Sequence, residues 1–222
     1  MIVGEQKSLM EIRNLVLPYP KLLILGCGTC VKTCFAGGED EVAVLGSALR
    51  LLFARENNTI RIEELTVERQ CENEFISEAA SRASDADAVL SLACGAGVQA
   101  LAQRFPKTPV LPGINTTFLG ILEKQGVFTE QCSGCGDCQL ETFGGICPYT
   151  RCAKKLQNGP CGGSRGGRCE VNADVACAWH LIIERLTALG EISRLKTYIP
   201  PKSWKNAGSG GPRKLVREDH MI

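Results

Sequence analysis

Eight cysteines fall within the 46 residues from Cys132 to Cys177: Cys132, Cys135, Cys138, Cys147, Cys152, Cys161, Cys169 and Cys177. The first three read C-S-G-C-G-D-C, two successive CxxC steps. Glycine and proline separate the thiols, and no apolar period runs through them. A stretch this poor in apolar residues cannot fold on a core alone, so it must organise itself around something that its thiolates bind. A metal centre, iron–sulfur or zinc, is the first expectation.

The 222 residues leave room for one large domain or two small ones. A hydrophobic fraction of 44% and a charged fraction of 22% are ordinary for a globular chain. The net charge of +1 sets up no field that would draw nucleic acid or an anionic membrane. Aromatic residues make up only 5%, too few for base-stacking platforms. Residues 1–14 carry Glu5, Lys7, Glu11 and Arg13 and no apolar h-region, so no signal peptide is expected. No run approaches the roughly 18 apolar residues of a membrane span. The expected compartment is the cytoplasm, where thiols stay reduced. A disulfide scaffold would need an oxidising compartment, a shorter chain and usually an even count, whereas this chain has 13 cysteines.

Upstream of the cysteine-rich stretch the pattern is that of an α/β protein. Residues 5–16 read as a short amphipathic helix ended by Pro18-Tyr19-Pro20. Residues 21–26 (KLLILG) form an apolar run of the kind found in buried parallel strands. Helical spacing follows over 40–56, strand alternation over 59–65, helix over 72–84, strand over 86–93, helix over 97–105 and a short strand over 108–111. Alternating strand and helix predicts a parallel sheet with helices on both faces, a Rossmann- or flavodoxin-like three-layer domain. The expected division is an α/β domain over 1–125, a small cysteine-rich metal-organised module with a C-terminal helix (173–189) over 126–195, and an extended tail over 196–222. The tail has breakers and no apolar period, so it is either disordered or an arm that orders against a partner.

Ligands of open α/β sheets gather at the carboxyl ends of the strands. Cys27, Cys30 and Cys34 directly follow the first strand of that sheet, Cys94 follows the third, and Cys71 lies beyond the second. A cluster held by Cys27, Cys30, Cys71 and Cys94, with Cys34 as an alternative fourth ligand, is favoured over a thiol redox site at Cys27-Gly28-Thr29-Cys30. In the second region CxxCxxC wraps three corners of a 4Fe–4S cube, and the fourth ligand comes from elsewhere. Cys132, Cys135 and Cys138 fit that role, and Cys147 carries the following proline common in ferredoxin-type motifs. Cys152, Cys161, Cys169 and Cys177 are free to complete this cluster, build another or hold Zn2+. His180 lies one turn beyond Cys177, where a core or surface role is the default. No Ser/His/Asp grouping or paired carboxylate points to bond-breaking catalysis.

The stretch Cys147-Pro-Tyr-Thr-Arg-Cys-Ala-Lys-Lys-Leu-Gln-Asn-Gly-Pro-Cys-Gly-Gly-Ser, followed by Gly167-Arg-Cys-Glu-Val171, resembles the methylenetetrahydrofolate reductase C-terminal (MetV-type) family. The Cys132–Cys138 run, Gly26-Cys-Gly-Thr-Cys and Gly37-Gly38-Glu39 fit the same resemblance. It implies a metal-containing accessory subunit beside a flavin-bearing methylenetetrahydrofolate reductase barrel, in one-carbon metabolism and the reductive acetyl-CoA (Wood–Ljungdahl) pathway. The FMN would sit on the partner and not on this chain, which is too short to contain a second domain of about 250 residues. The implied task is to pass electrons from a ferredoxin-like or other redox donor, through 4Fe–4S clusters, to that flavin. Two other functions stand beside it: a zinc-stabilised assembly subunit without electron transfer, and a thiol oxidoreductase working through Cys27 and Cys30.

Overall fold

The computed structural model describes residues 1–207 and 212–220. The chain divides into two compact units, Met1–Thr129 and Glu130–Ile222. In the first, β1 (Ile2–Gln6) and α1 (Leu9–Val16) precede β2 (Lys21–Cys27), α2 (Cys30–Thr33), α3 (Glu39–Arg55) and β3 (Arg61–Val67). Then come α4 (Asn73–Ser77), α5 (Ala80–Asp85), β4 (Ala88–Ser91), α6 (Gly95–Arg104), β5 (Val110–Pro112), β6 (Ile114–Lys124) and β7 (Val127–Cys132).

Four strands form a parallel sheet in the order β3-β2-β4-β5. Strand β2 is its centre, and Leu22, Leu23, Ile24 and Leu25 are all fully buried. Their unbroken apolar run is what a strand covered on both faces requires. Side chains alternate across a strand, and the core divides accordingly. Leu22, Ile24, Ala88 and Leu90 pack with Ile12 and Val16 of α1 and Val42, Leu45, Leu49 and Phe53 of α3. Leu23, Leu25 and Val89 pack on the opposite face with Ile76, Ala83 and Leu101 of α4, α5 and α6 and with Ala79 between α4 and α5. Three layers follow directly from this alternation. Burying a leucine or isoleucine of this kind contributes about 1.5–3 kcal/mol, so β2 anchors the unit.

Several elements differ from the sequence expectation. Residues 2–6 are a strand, and the helix begins only at Leu9, capped by Ser8, whose Oγ accepts from Glu11 N at 3.2 Å. The strand exists because β6, more than a hundred residues away, pairs with it antiparallel. Strands β1, β6 and β7 make a second, antiparallel sheet that the α/β pattern did not announce. The helix expected over 72–84 breaks into α4 and α5.

Among the described residues the second unit holds little regular structure: α7 (Pro148–Arg151), α8 (Ala178–Ala188) and 3-10 helices at Ile192–Lys196 and Glu218–His220. Helix α8 starts five residues later than its apolar period suggests. The small core consists of Phe143, Tyr149, Trp179, Ile182 and Leu186. Phe143 meets Tyr149 and Trp179 edge-on, with ring centroids 6.4 and 5.9 Å apart.

The expected tail is ordered against its own module through Ala207. Asn158 pairs with Ile199 in both directions, Nδ2 to O at 2.9 Å and Ile199 N to Oδ1 at 2.8 Å. Gln157 Nε2 donates to Ile199 O and Pro200 O. Trp204 packs edge-on to Tyr149 at 6.1 Å. Gly136, at φ +76°, lets this strap close, since a Cβ there would sit 2.5 Å from Asn206 O. Residues 208–211 and 221–222 of the expected tail lie outside the described residues.

Candidate metal centres

The order β3-β2-β4-β5 places a topological switch point between β2 and β4, where successive connections leave in opposite directions. Open α/β sheets take their ligands at such a point, outside the carboxyl ends of the strands. Cys27 is the last residue of β2, Cys30 the first of α2, and Cys94 the N-cap of α6. Cys71 lies in the loop beyond β3. Residue Cys71 is exposed, yet its sulfur is partly desolvated. Its thiol pKa is raised, first by that burial and then by the neighbouring Cys27 and, more weakly, Cys94. Three thiols from three strand ends therefore share one electrostatic neighbourhood, and like charges that raise one another are relieved by a cation between them.

A buried polar brace fixes this neighbourhood. Gln70 is 1% exposed. Its Nε2 donates to Leu25 O at 2.8 Å and Gly26 O at 3.0 Å, and its Oε1 accepts from Ser91 Oγ at 2.6 Å. Ser91 Oγ in turn accepts from Ala93 N at 3.3 Å. One side chain thus ties the ends of β2 and β4 to the loop that carries Cys71. Gly97 completes the fit, because a Cβ there would lie 2.8 Å from Ala93 Cβ and 2.9 Å from Gln70 Cβ.

Cys34 faces elsewhere. It accepts from Gly4 N at 3.4 Å and lies 3.5 Å from Gly4 O and Val31 O, against β1. Burial first raises its pKa, as suits a packed thiol; Cys30 adds to the rise, so these two sulfurs are neighbours.

In the second unit the eight cysteines sort into two sets of four. Cys132, Cys135, Cys138 and Cys147 line one pocket with Tyr149 and Thr150. Cys152, Cys161, Cys169 and Cys177 line another with Arg151, Lys154 and Trp179. Sequence spacing left Cys177 an uncertain partner; the fold places it at the N-cap of α8, its N–H donating to Gly167 O at 2.8 Å. The signal was the even step from Cys152 to Cys161, Cys169 and Cys177, nine, eight and eight residues. His180 pairs with Glu184 at 3.1 Å and is absent from that pocket's lining.

Backbone amides point at these sulfurs. Gly134 N donates to Cys132 Sγ at 3.3 Å, and Gly163 N to Cys161 Sγ at 3.4 Å. Amides of Asn172 and Val171 hold the Cys169 pKa below the usual thiol value. N–H donors stabilise the charged sulfur, the form that binds metal. Four thiols with amide support fit either a four-cysteine zinc site or a 4Fe–4S cluster. All thirteen cysteines are free thiols. Among the described residues, no three His, Cys, Asp or Glu side chains stand as a ready-made ligand set. The sulfurs share pockets without being drawn to ligating distance.

Lys202, which nothing in the sequence pattern singled out, packs behind the first pocket, against Asp137 and Tyr149 of its lining. Its ammonium donates to Asp137 O, pairs with Asp137 Oδ2 at 3.2 Å and stands 5.0 Å from the Tyr149 ring centroid. Burial pulls its pKa down, but the Asp137 hydrogen bond and the nearby Cys135 outweigh burial, so the net shift is upward and the charge is retained.

Among the described residues, no helix is long and apolar enough to cross a membrane. No curated protein and no solved structure matches the chain. A family model described as methylene-tetrahydrofolate reductase C terminal matches residues 111–205. The match takes in both four-cysteine pockets and most of the strap, while Cys27, Cys71 and Cys94 lie outside it. Residues 111–205 of this chain are similar to the methylene-tetrahydrofolate reductase C-terminal family.

Proposed function

We propose that this chain is the iron–sulfur electron-transfer subunit of a methylenetetrahydrofolate reductase complex, relaying electrons from a ferredoxin-like or other redox donor to the FMN of a folate-reducing barrel subunit. The observation that carries the reading is the sorting of eight cysteines into two pockets of four thiols. Cys132, Cys135, Cys138 and Cys147 would hold one 4Fe–4S cluster, the CxxCxxC loop taking three corners and Cys147 the fourth. Cys152, Cys161, Cys169 and Cys177 would hold a second centre. Cys27, Cys71 and Cys94 at the sheet edge, with Cys30 as fourth ligand, would hold a third. A bound cluster supplies a site that accepts and returns a single electron.

The protein's own residues do the rest. The Gly134 and Gly163 amides and those around Cys169 steady the anionic sulfurs. Tyr149 and Trp179 screen the pockets from water. The Gln70–Ser91 brace keeps the strand ends from drifting when charge enters or leaves.

A second reading, zinc at one or both pockets of the second unit in a purely structural role, draws on the same four-thiol sets and on the small core that needs support. Iron, zinc and acid-labile sulfide analysis of anaerobically purified protein separates the two. Iron with matching sulfide supports the relay; stoichiometric zinc without sulfide removes it. Association is tested by co-purification with an FMN-containing reductase, and a chain that never binds such a flavoprotein would not be its subunit.

A further inference from the structure

The strap places a positive charge directly behind the first thiol pocket, on Asp137 and beside Tyr149 of its lining. Lys202 lies 65 positions beyond Asp137 in sequence, yet its side chain is 1% exposed and its ammonium touches Asp137. Asp137 lies two residues from Cys135, itself buried, and the Cys135 sulfur is near enough to help hold the ammonium charged. Burying a charge is costly even when paired, and an apolar side chain at such a place commonly holds a fold as well or better. Trp204, Asn158 and Gln157 already fasten the strap. A buried ammonium is therefore not needed to close it.

We propose that Lys202 is a positioning residue for charge, favouring the reduced state of a centre held by Cys132, Cys135, Cys138 and Cys147. The inference rests on the relay reading above. One electron arriving from a low-potential donor adds one negative charge to the pocket, and a fixed positive charge beside Cys135 stabilises that state. Asp137 opposes the effect, but the two charges are not equally screened. The Asp137 side chain is 43% exposed and faces water, whereas Lys202 is dry. Coulomb attraction is stronger where solvent is excluded, so the lysine dominates.

The test is an anaerobic redox titration followed by electron paramagnetic resonance on the full-length chain. Wild type, Lys202→Met and Asp137→Asn are compared, with the signal assigned by its loss in Cys135→Ser. Lys202→Met is expected to make reduction of this centre at least tenfold less favourable, about 59 mV more negative for one electron, and to leave the other centres unmoved. Asp137→Asn is expected to shift the same centre the opposite way. Structural damage alone would not give opposite signs. An unmoved midpoint in Lys202→Met at intact iron and sulfide content, or shifts of the same sign in both variants, overturns the inference. If Lys202→Met cannot hold the centre, the sign of the Asp137→Asn shift decides alone: upward supports it, zero or downward overturns it. A wild-type protein with zinc and no reducible centre instead removes the relay reading beneath it.

Discussion

Cys177 and His180 stand one turn apart on the same stretch of chain, and the fold gives them different surroundings. Cys177 lines the second four-thiol pocket, whereas His180 pairs with Glu184. Cys177→Ser is therefore expected to lose the metal of that pocket and His180→Ala to keep it, as measured by metal content per chain. Cys34 gives a matching contrast at the sheet edge. Packed against Gly4, it should tolerate serine with no loss of metal, while Cys71→Ser should lose the centre there. Gln70 acts at the same edge through hydrogen bonds only. Replacing it with alanine leaves the Ser91 hydroxyl proton without its acceptor and takes a donor from Leu25 O and Gly26 O, and is expected to cost about 1–3 kcal/mol in urea unfolding. Thiols are easily read from sequence because few other residues do their chemistry. Gln70 and Lys202 are not, because a buried glutamine or lysine declares itself only through partners that the fold brings from elsewhere.

Among the elements, those with local signals were the legible ones. Strand β2 shows its burial in the run Leu22–Leu25, and α3 and α6 show theirs in helical spacing. Strand β1 depends on pairing with β6 over more than a hundred residues, which no local period carries. The strap over 197–207 was equally hidden, since Pro200 and Pro201 read as breakers although Gln157 and Asn158 fasten the chain beside them. Helix α8 rests on a core of a few aromatic and aliphatic side chains, and under the proposed function bound metal would supply the support that so small a core lacks. Removing metal from the whole chain is therefore expected to release amide protection in α7, α8 and the strap. Protection in β2, β4 and α3 should persist, because both faces of that sheet are packed by side chains alone. Hydrogen exchange followed by mass spectrometry reads the two units separately in one sample; equal loss in both would contradict the division.

At the scale of the molecule, the chain joins an α/β unit with thiols at its switch point to a module with two four-thiol pockets. The sequence spacing of Cys132, Cys135, Cys138 and Cys147 already suggested one set. It could not divide the remaining four, because ligand grouping depends on how the Gly-rich loops around Gly163 and Gly167 turn back on α8. The proposed relay would need several centres held in rigid surroundings and shielded from water; the three thiol groups would supply them, and a single redox-active CxxC would not. The most direct test is the iron and acid-labile sulfide content of the full-length chain purified without oxygen. The account predicts about four iron and four sulfide per cluster, with at least one cluster in the second unit that Cys135→Ser abolishes. Stoichiometric zinc with no sulfide would contradict it.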